Sequence, residues 1–265
     1  MIPKIIHYCW FGGKSIPLET KVLIYQWHKL MPDYEIRCWS EDNFDINSVL
    51  WVRQAIQHKK WAFVADYVRL YALYNFGGIY MDTDVQVFKP YDKFLKYSFF
   101  SSIEIHDCFN IEGKSLLNDD NLPKKIGSTI PGLGILSAII AAEPKNEYIG
   151  DCLNFYEKLS FVKNDGTFLT NIIIPDFLAR GAVKYGFRYV DKTQYLNNNM
   201  IVFNSSVFAG NYNCYNEESY ALHYCYGTWR KTILKNRIKW WYRHKKWALK
   251  KIMSICLSQL KFVFK

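Results

Sequence analysis

Asp82 and Asp84 are separated by one residue and follow an apolar run, Gly77-Gly78-Ile79-Tyr80-Met81. Carboxylates at i and i+2 behind such a run sit at the carboxyl end of a strand, where open α/β sheets bind ligands. Together they can share a divalent cation, directly or through water, and the cation would neutralise a diphosphate leaving group. Oxygen ligands favour Mg²⁺ or Mn²⁺ over zinc. An Asp-x-Asp triplet alone is a weak signal, because most are solvated turns. Here the apolar approach buries the pair, and buried like charges need a compensating cation.

Two further groups have suitable types. Asp66 and Arg69 lie three apart on one helical face. The plain reading is an intrahelical ion pair worth a few tenths of a kcal/mol, and spacing alone favours it. The functional reading has Asp66 accepting from a sugar hydroxyl and Arg69 donating to sugar or phosphate. The second group is His223-Tyr224-Cys225-Tyr226-Gly227-Thr228-Trp229, which follows Ala221-Leu222 at a strand end. His223 is either a structural histidine or a third metal ligand bound as neutral imidazole. Thr228 and the Trp229 indole N–H can donate to phosphate oxygens.

The elements that must position these groups follow from pattern. Lys4 to Trp10 reads as a buried strand ending at the Gly12-Gly13 turn. Pro17 to Leu30 reads as an amphipathic helix and Glu35 to Trp39 as a second strand, an order that predicts a parallel sheet. Trp51 to Tyr74 reads as one long helix stopped at Gly77-Gly78. Ile79 to Met81 is a strand, and Val85 to Phe88 continues extended until Pro90. Signals weaken from Tyr97 to Pro131. Beyond them come a small-residue strand or helix at 132–142, a helix at 146–159, a helix at 167–178 interrupted near Pro175, and short strands at 188–190 and 200–203. The predicted fold class is α/β: a mixed, mostly parallel sheet flanked by helices. The predicted partition is a catalytic domain over 1–229 and a basic amphipathic tail over 230–265.

Composition separates the same two parts. The net charge is +10. Twelve Lys and Arg, with no Asp or Glu, fall between Trp229 and Lys265, which leaves the other residues at −2. A near-neutral body argues against a nucleic-acid-binding protein despite the basic tail. The tail mixes its cations with Trp240, Trp241 and Trp247, and its apolar residues recur at helical spacing. It fits an anionic membrane surface and equally a helix packed on the domain. Seven scattered cysteines without a Cys-x-x-Cys pair point to reduced thiols of the cytosol rather than a disulfide framework or structural zinc. The sequence shows no signal peptide and no run near the ~20 apolar residues of a spanning helix. These features predict a cytoplasmic protein, peripheral at the inner face of the cell membrane.

Taken together, Ile2-Pro3-Lys4-Ile5-Ile6-His7 with Trp10-Phe11-Gly12, Asp66 with Arg69, Gly77 through Val85, and His223 with Trp229 resemble glycosyltransferase family 32. This family comprises capsular-polysaccharide and Och1-like sugar transferases with an Asp-x-Asp motif. The block is also similar to the catalytic domains of large clostridial glucosylating toxins. The likeness covers residues 1–95 and returns near 221–229. It implies a GT-A fold, a nucleotide-diphospho-sugar donor, a Mn²⁺ or Mg²⁺ ion and retention of anomeric configuration. By matching positions it implies that Trp10 stacks on the donor base with His7 near it. Asp66 and Arg69 would contact donor ribose or sugar, and Asp82 ribose or metal. Asp84 would bind metal, His223 would complete the metal site, and Thr228 and Trp229 would face the diphosphate. Asp82, Asp84 and Arg69 are the expected catalytic residues. The chain departs from the family pattern at Glu143-Pro144, where His-Pro is common, and at Gly166-Thr167-Phe168-Leu169-Thr170, where Gly-Pro often precedes a Thr. Both departures bear on the acceptor side.

The expected activity is transfer of a hexose, with UDP-galactose the preferred donor by family analogy, to a hydroxyl of a glycan or lipid-linked oligosaccharide in bacterial surface-polysaccharide synthesis. No carboxylate is an obvious nucleophile, which favours front-face attack assisted by the leaving phosphate. The rival is a Mg²⁺-dependent phosphohydrolase of the haloacid-dehalogenase type. That class carries its Asp-x-Asp on the first strand, whereas here some 80 residues precede it.

Overall fold

The apolar opening segment forms β1 (Ile5–Cys9), the first strand of the computed structural model, which describes residues 1–170 and 173–226. Next come α1 (Leu18–Leu30) and β2 (Glu35–Trp39), which pairs parallel to β1 as the strand-helix-strand order predicts. The stretch expected to be one long helix is two. α2 (Leu50–Gln57) and α3 (Trp61–Phe76) are separated at His58–Lys60, where Lys59 takes a left-handed φ of 54°. Apolar periodicity runs through this break, because both helices bury faces against the same core.

α3 ends at Gly77, and β3 (Gly78–Met81) begins at once. The reversal requires glycine twice. Gly77 and Gly78 have φ of 65° and 105°. A Cβ on Gly77 would lie 2.6 Å from Pro144, and one on Gly78 would lie 2.5 Å from the Ile5 carbonyl oxygen. The two glycines thus let α3 dock closely and drop β3 beside β1.

The following strands are β4 (Val85–Val87), β5 (Phe99–Ile105), β6 (Leu133–Ile135) and β7 (Ile139–Ala142). A short four-residue helix, α4 (Cys108–Ile111), follows β5. α5 (Glu147–Glu157) carries Asn146 as an N-cap that accepts from the Ile149 amide. α6 (Ile174–Ala182) holds Pro175 in its first turn. Proline starts this helix rather than interrupting it, since its missing N–H is not needed there. Residues 188–190 are not a strand. The edge strand is β8 (Gln194–Leu196), followed by β9 (Met200–Phe203) as expected, β10 (Phe208–Ala209) and β11 (Ala221–His223).

Among the described residues the main sheet has the order β2-β1-β3-β7-β5-β9-β8, with β6 added on β5. Strands β1, β2, β3, β5 and β9 run one way, and β6, β7 and β8 run against them. This is the mixed, mostly parallel α/β architecture predicted. The sheet is buried on both faces. Ile6, Ile79, Met81 and Ile139 pack in one core with Trp27 of α1, while Tyr80, Ile140 and Ala142 pack in the other with α3, α5 and α6. A smaller sheet, β10-β11-β4, leans on the first core. Trp27 ties α1 to it by donating its indole N–H to the Val85 carbonyl at 2.9 Å.

Met1–Cys225 form one compact unit. Thr228, Trp229 and the basic tail at 230–265 lie outside the described residues, as does the expected domain boundary.

Candidate active site

Strand register brings the chemistry together. β1 and β3 are parallel, with His7 beside Tyr80, so their carboxyl ends meet at the level of Cys9 and Asp82. Asp82 donates its amide to the Ala138 carbonyl at 2.9 Å, and the Val85 amide returns to the Asp82 carbonyl at 3.1 Å. The Asp-x-Asp motif is therefore a tight turn from β3 into β4. β11 then runs antiparallel to β4 with His223 opposite Val85. The Tyr224 amide donates to the Asp84 carbonyl at 3.0 Å, which fixes the end of β11 on the turn.

Asp82, Asp84 and His223 consequently converge. One ligand atom from each lies within 4.8 Å of the others. His223 Nε2 is 3.1 Å from Asp84 Oδ1 and 3.8 Å from Asp82 Oδ2. Burial pushes the His223 ring toward neutrality, but the Asp84 carboxylate and then Cys225 outweigh it, holding its pKa well above the usual histidine range. Two carboxylate oxygens and an imidazole nitrogen fit Mn²⁺ or Mg²⁺. Neighbouring ligand atoms around an octahedral ion with bonds of ~2.1 Å lie about 3 Å apart, as His223 and Asp84 do; Asp82 would move closer on binding.

A second, drier group backs this triad. Arg69 on α3 is almost wholly buried. Its guanidinium donates to Asp66 Oδ1 at 2.9 Å, to the Ser137 carbonyl at 2.7 Å and to the Ala65 carbonyl at 3.2 Å. It lies 3.7 Å from Asp82 and stacks 4.6 Å from the centre of the Tyr80 ring. Burial works against its charge, yet Tyr80, Asp82 and Asp66 more than compensate. Burial also pushes the Asp66 carboxyl up to about 6, with Arg69 opposing and Asp82 adding to the rise. The Asp66–Arg69 pair is thus more than a surface helix pair, because it extends to Asp82.

The sequence-predicted residues divide on this geometry. Asp66, Arg69, Asp82, Asp84 and His223 are brought together. Trp10 sits one residue beyond β1 on the same edge, partly buried, and donates its indole N–H to the Lys14 carbonyl. His7, expected near a donor base, is fully buried. Its Nε2–H donates to the Gly77 carbonyl at 2.7 Å, and its Nδ1 accepts from Trp39 Nε1–H at 3.1 Å. Neither ring nitrogen remains for a ligand, so His7 belongs to the wall of the fold.

Two residues of the site escaped sequence reasoning. Tyr80 donates its hydroxyl to Asp82 Oδ1 at 2.9 Å and aims that carboxylate. Cys225 Sγ lies 3.3 Å from His223 Nδ1. Each stands two positions from the residue it touches; alternation along β3 could have flagged Tyr80, whereas the left-handed turn at Cys225 left no such signal. Farther along the carboxyl edge, Glu104 at the end of β5 pairs with His106 at 3.0 Å. Burial, then the Glu104 charge, pushes Asp176 of α6 up to about 6.

Residues 17–101 match the family model described as the glycosyltransferase sugar-binding region containing the DXD motif. Inositol phosphoceramide mannosyltransferase 3 of Schizosaccharomyces pombe is 33% identical over 102 residues, covering 36% of this chain. The chain spans 28% of the length of that curated relative. Similar solved structures include the PaToxG glycosyltransferase (18% identity, 69% of each chain, TM-score 0.45). A second is the galactosyltransferase LgtC with donor and acceptor sugar analogues (13% identity, 83% of this chain and 87% of that one, TM-score 0.44). The matched segment holds Asp66, Arg69, Asp82 and Asp84, so the part of the chain that carries these residues is similar to a DXD-containing glycosyltransferase sugar-binding region.

Proposed function

We propose that this protein is a metal-dependent glycosyltransferase that moves a hexose from a nucleotide-diphospho-sugar, UDP-galactose first among candidates, to a hydroxyl of a glycan or lipid-linked acceptor. The observation that carries this reading is the Asp82–Asp84–His223 triad at a strand's carboxyl end, backed by Asp66 and Arg69 within a DXD region. Asp82, Asp84 and His223 would hold Mn²⁺ or Mg²⁺, which when bound offsets negative charge on a diphosphate. Tyr80 and Arg69 aim and partly neutralise Asp82, so the carboxylate is held in place before substrate arrives. Asp66, with one oxygen on Arg69, presents its other to a donor hydroxyl. Trp10 offers a ring to the base, and Thr228 and Trp229 offer donors to the diphosphate.

Among the described residues no carboxylate other than the metal-binding pair and Asp66 is drawn into this centre. With the retention that the family resemblance implies, this favours front-face attack, in which the leaving phosphate takes the acceptor's proton. Glu104, His106 and Asp176 are the groups on the same edge able to meet acceptor hydroxyls. Bacterial surface-polysaccharide synthesis at the inner face of the cell membrane suits such an enzyme. The basic tail would supply the contact with anionic lipid, and removing residues 230–265 should release the protein from anionic vesicles. Among the described residues no helix is long and apolar enough to cross a membrane.

Thermal stabilisation by UDP and by GDP, each with and without Mn²⁺, tests the proposal. A metal-dependent rise with UDP supports it, and a rise with GDP alone moves the donor to a mannose or fucose class. No shift with either nucleotide, together with hydrolysis of simple phosphate esters, would establish the phosphohydrolase alternative instead.

A further inference from the structure

We infer that Cys225 is a positioning residue that keeps a proton on Nδ1 of His223, so that Nε2, which faces Asp82 and Asp84, is the nitrogen that gives up its proton to a bound cation. The inference rests on the metal site proposed above. The sulfur has two close polar neighbours, the Gly210 carbonyl oxygen at 3.0 Å and His223 Nδ1 at 3.3 Å. A carbonyl oxygen can only accept, so the single S–H hydrogen is directed to Gly210. The sulfur then meets Nδ1 with its lone pairs, and that contact is a hydrogen bond only if Nδ1 carries the proton. In a neutral imidazole with Nδ1–H, Nε2 is unprotonated. Nε2 is the ring atom 3.1 Å from Asp84 and 3.8 Å from Asp82. The order Gly210 carbonyl, Cys225 thiol, Nδ1–H therefore sets the face of the ring that a cation requires, as outer groups do for metal-bound histidines.

The backbone is shaped for this contact. Cys225 has a φ of 52°, a left-handed conformation uncommon for a residue other than glycine, asparagine or aspartate. Strand alternation alone would carry residue 225 onward along β11. The left-handed turn instead folds it back over Gly210, the residue after β10. Tyr224 anchors the turn, with its amide on the Asp84 carbonyl and its hydroxyl on Gln86 Oε1. β10 and β11 are parallel neighbours, which puts the Gly210 carbonyl within reach.

Serine keeps a donor for Gly210 and an acceptor for Nδ1, whereas alanine keeps neither. The test is Mn²⁺ binding to the full-length protein, followed by the EPR signal of free Mn²⁺, for the wild type, Cys225→Ser and Cys225→Ala. The expected result is a Kd raised about 10–100-fold in Cys225→Ala and largely restored in Cys225→Ser. Equal affinity in wild type and a folded Cys225→Ala would overturn the inference while leaving the metal site standing. Absence of Mn²⁺ binding by the wild type, with or without UDP, would remove the metal site and this inference with it. Nitrogen-15 shifts of His223 in the Mg²⁺-loaded wild type give a second measurement that needs no variant. A proton on Nδ1 is expected, and a proton on Nε2 would overturn the inference.

Discussion

His7 and His223 are both low-exposure histidines on strands, and their surroundings give them opposite jobs. His7 lies inside β1, where the Gly77 carbonyl takes its Nε2–H and the Trp39 indole supplies its Nδ1. Burial first pushes its pKa down to about 4, against the pull of the Gly77 hydrogen bond. His223 lies at the end of β11 among carboxylates, and these hold its pKa high. A buried histidine whose two nitrogens both face neutral backbone and indole is a strut. A histidine whose outer nitrogen faces two acids has the surroundings that the proposed metal site calls for. The residue type does not distinguish them; the charges facing each nitrogen do.

The largest expected effect lies on the His223 side. Asp84→Asn should lower kcat/KM about a thousandfold or more, since the cation contributes several kcal/mol to the transition state. The melting temperature should change little. Steady-state kinetics at saturating Mn²⁺ would check this, and near-normal turnover would remove Asp84 from the metal site. Arg69 ties α3 to the Asp82 side of the site. Arg69→Ala leaves the partly buried Asp66 and Asp82 without the guanidinium between them, a loss of about 2–4 kcal/mol, below that of a fully buried pair. Urea unfolding would measure it. A loss below ~1 kcal/mol would mean that water replaces the guanidinium and that the network is softer than its burial implies.

Much of this site was legible in the sequence because its signals are local. The apolar run into Asp82-Thr83-Asp84, the Gly77-Gly78 reversal and the β1-α1-β2 order each lie within a short window. What was not legible depended on partners remote in sequence. β5 sits where patterning fades, and β7 is inserted antiparallel between β3 and β5 by a long-range pairing. The break between α2 and α3 is hidden because one apolar stripe spans it. The hydrogen bonds of His7 were not legible, because its partners, Trp39 and Gly77, lie 32 and 70 residues away. The family resemblance placed His7 near the donor base, whereas the fold turns its ring inward.

The next prediction separates the two histidines directly. His7→Ala strips partners from the Trp39 N–H and the Gly77 carbonyl, and each orphaned group costs about 1–3 kcal/mol. Stability should fall by roughly 2–4 kcal/mol, while Mn²⁺ affinity stays at the wild-type value. His223→Ala should do the reverse. Matching losses in both measurements for both variants would erase the distinction.

The smallest effect is a pH dependence that belongs to His7 alone. Its folded pKa, about 4, lies below the ordinary value of 6.5. Between those values the unfolded chain binds a proton that the folded chain does not, so stability rises with pH across this window. The contribution is fully present above about pH 6.5 and is lost as pH falls toward 4. Protonation would place a hydrogen on Nδ1, directly against the Trp39 indole N–H, which explains why the fold resists it. Urea midpoints of wild type and His7→Ala, taken from pH 7 to pH 4.5, isolate this contribution as the difference between two curves. The gap should shrink as the pH drops, because the wild type loses what the variant never had. A gap constant across the range would mean that His7 keeps its ordinary pKa in the folded state, and that its hydrogen bonds to Gly77 and Trp39 are weaker than 2.7 and 3.1 Å suggest.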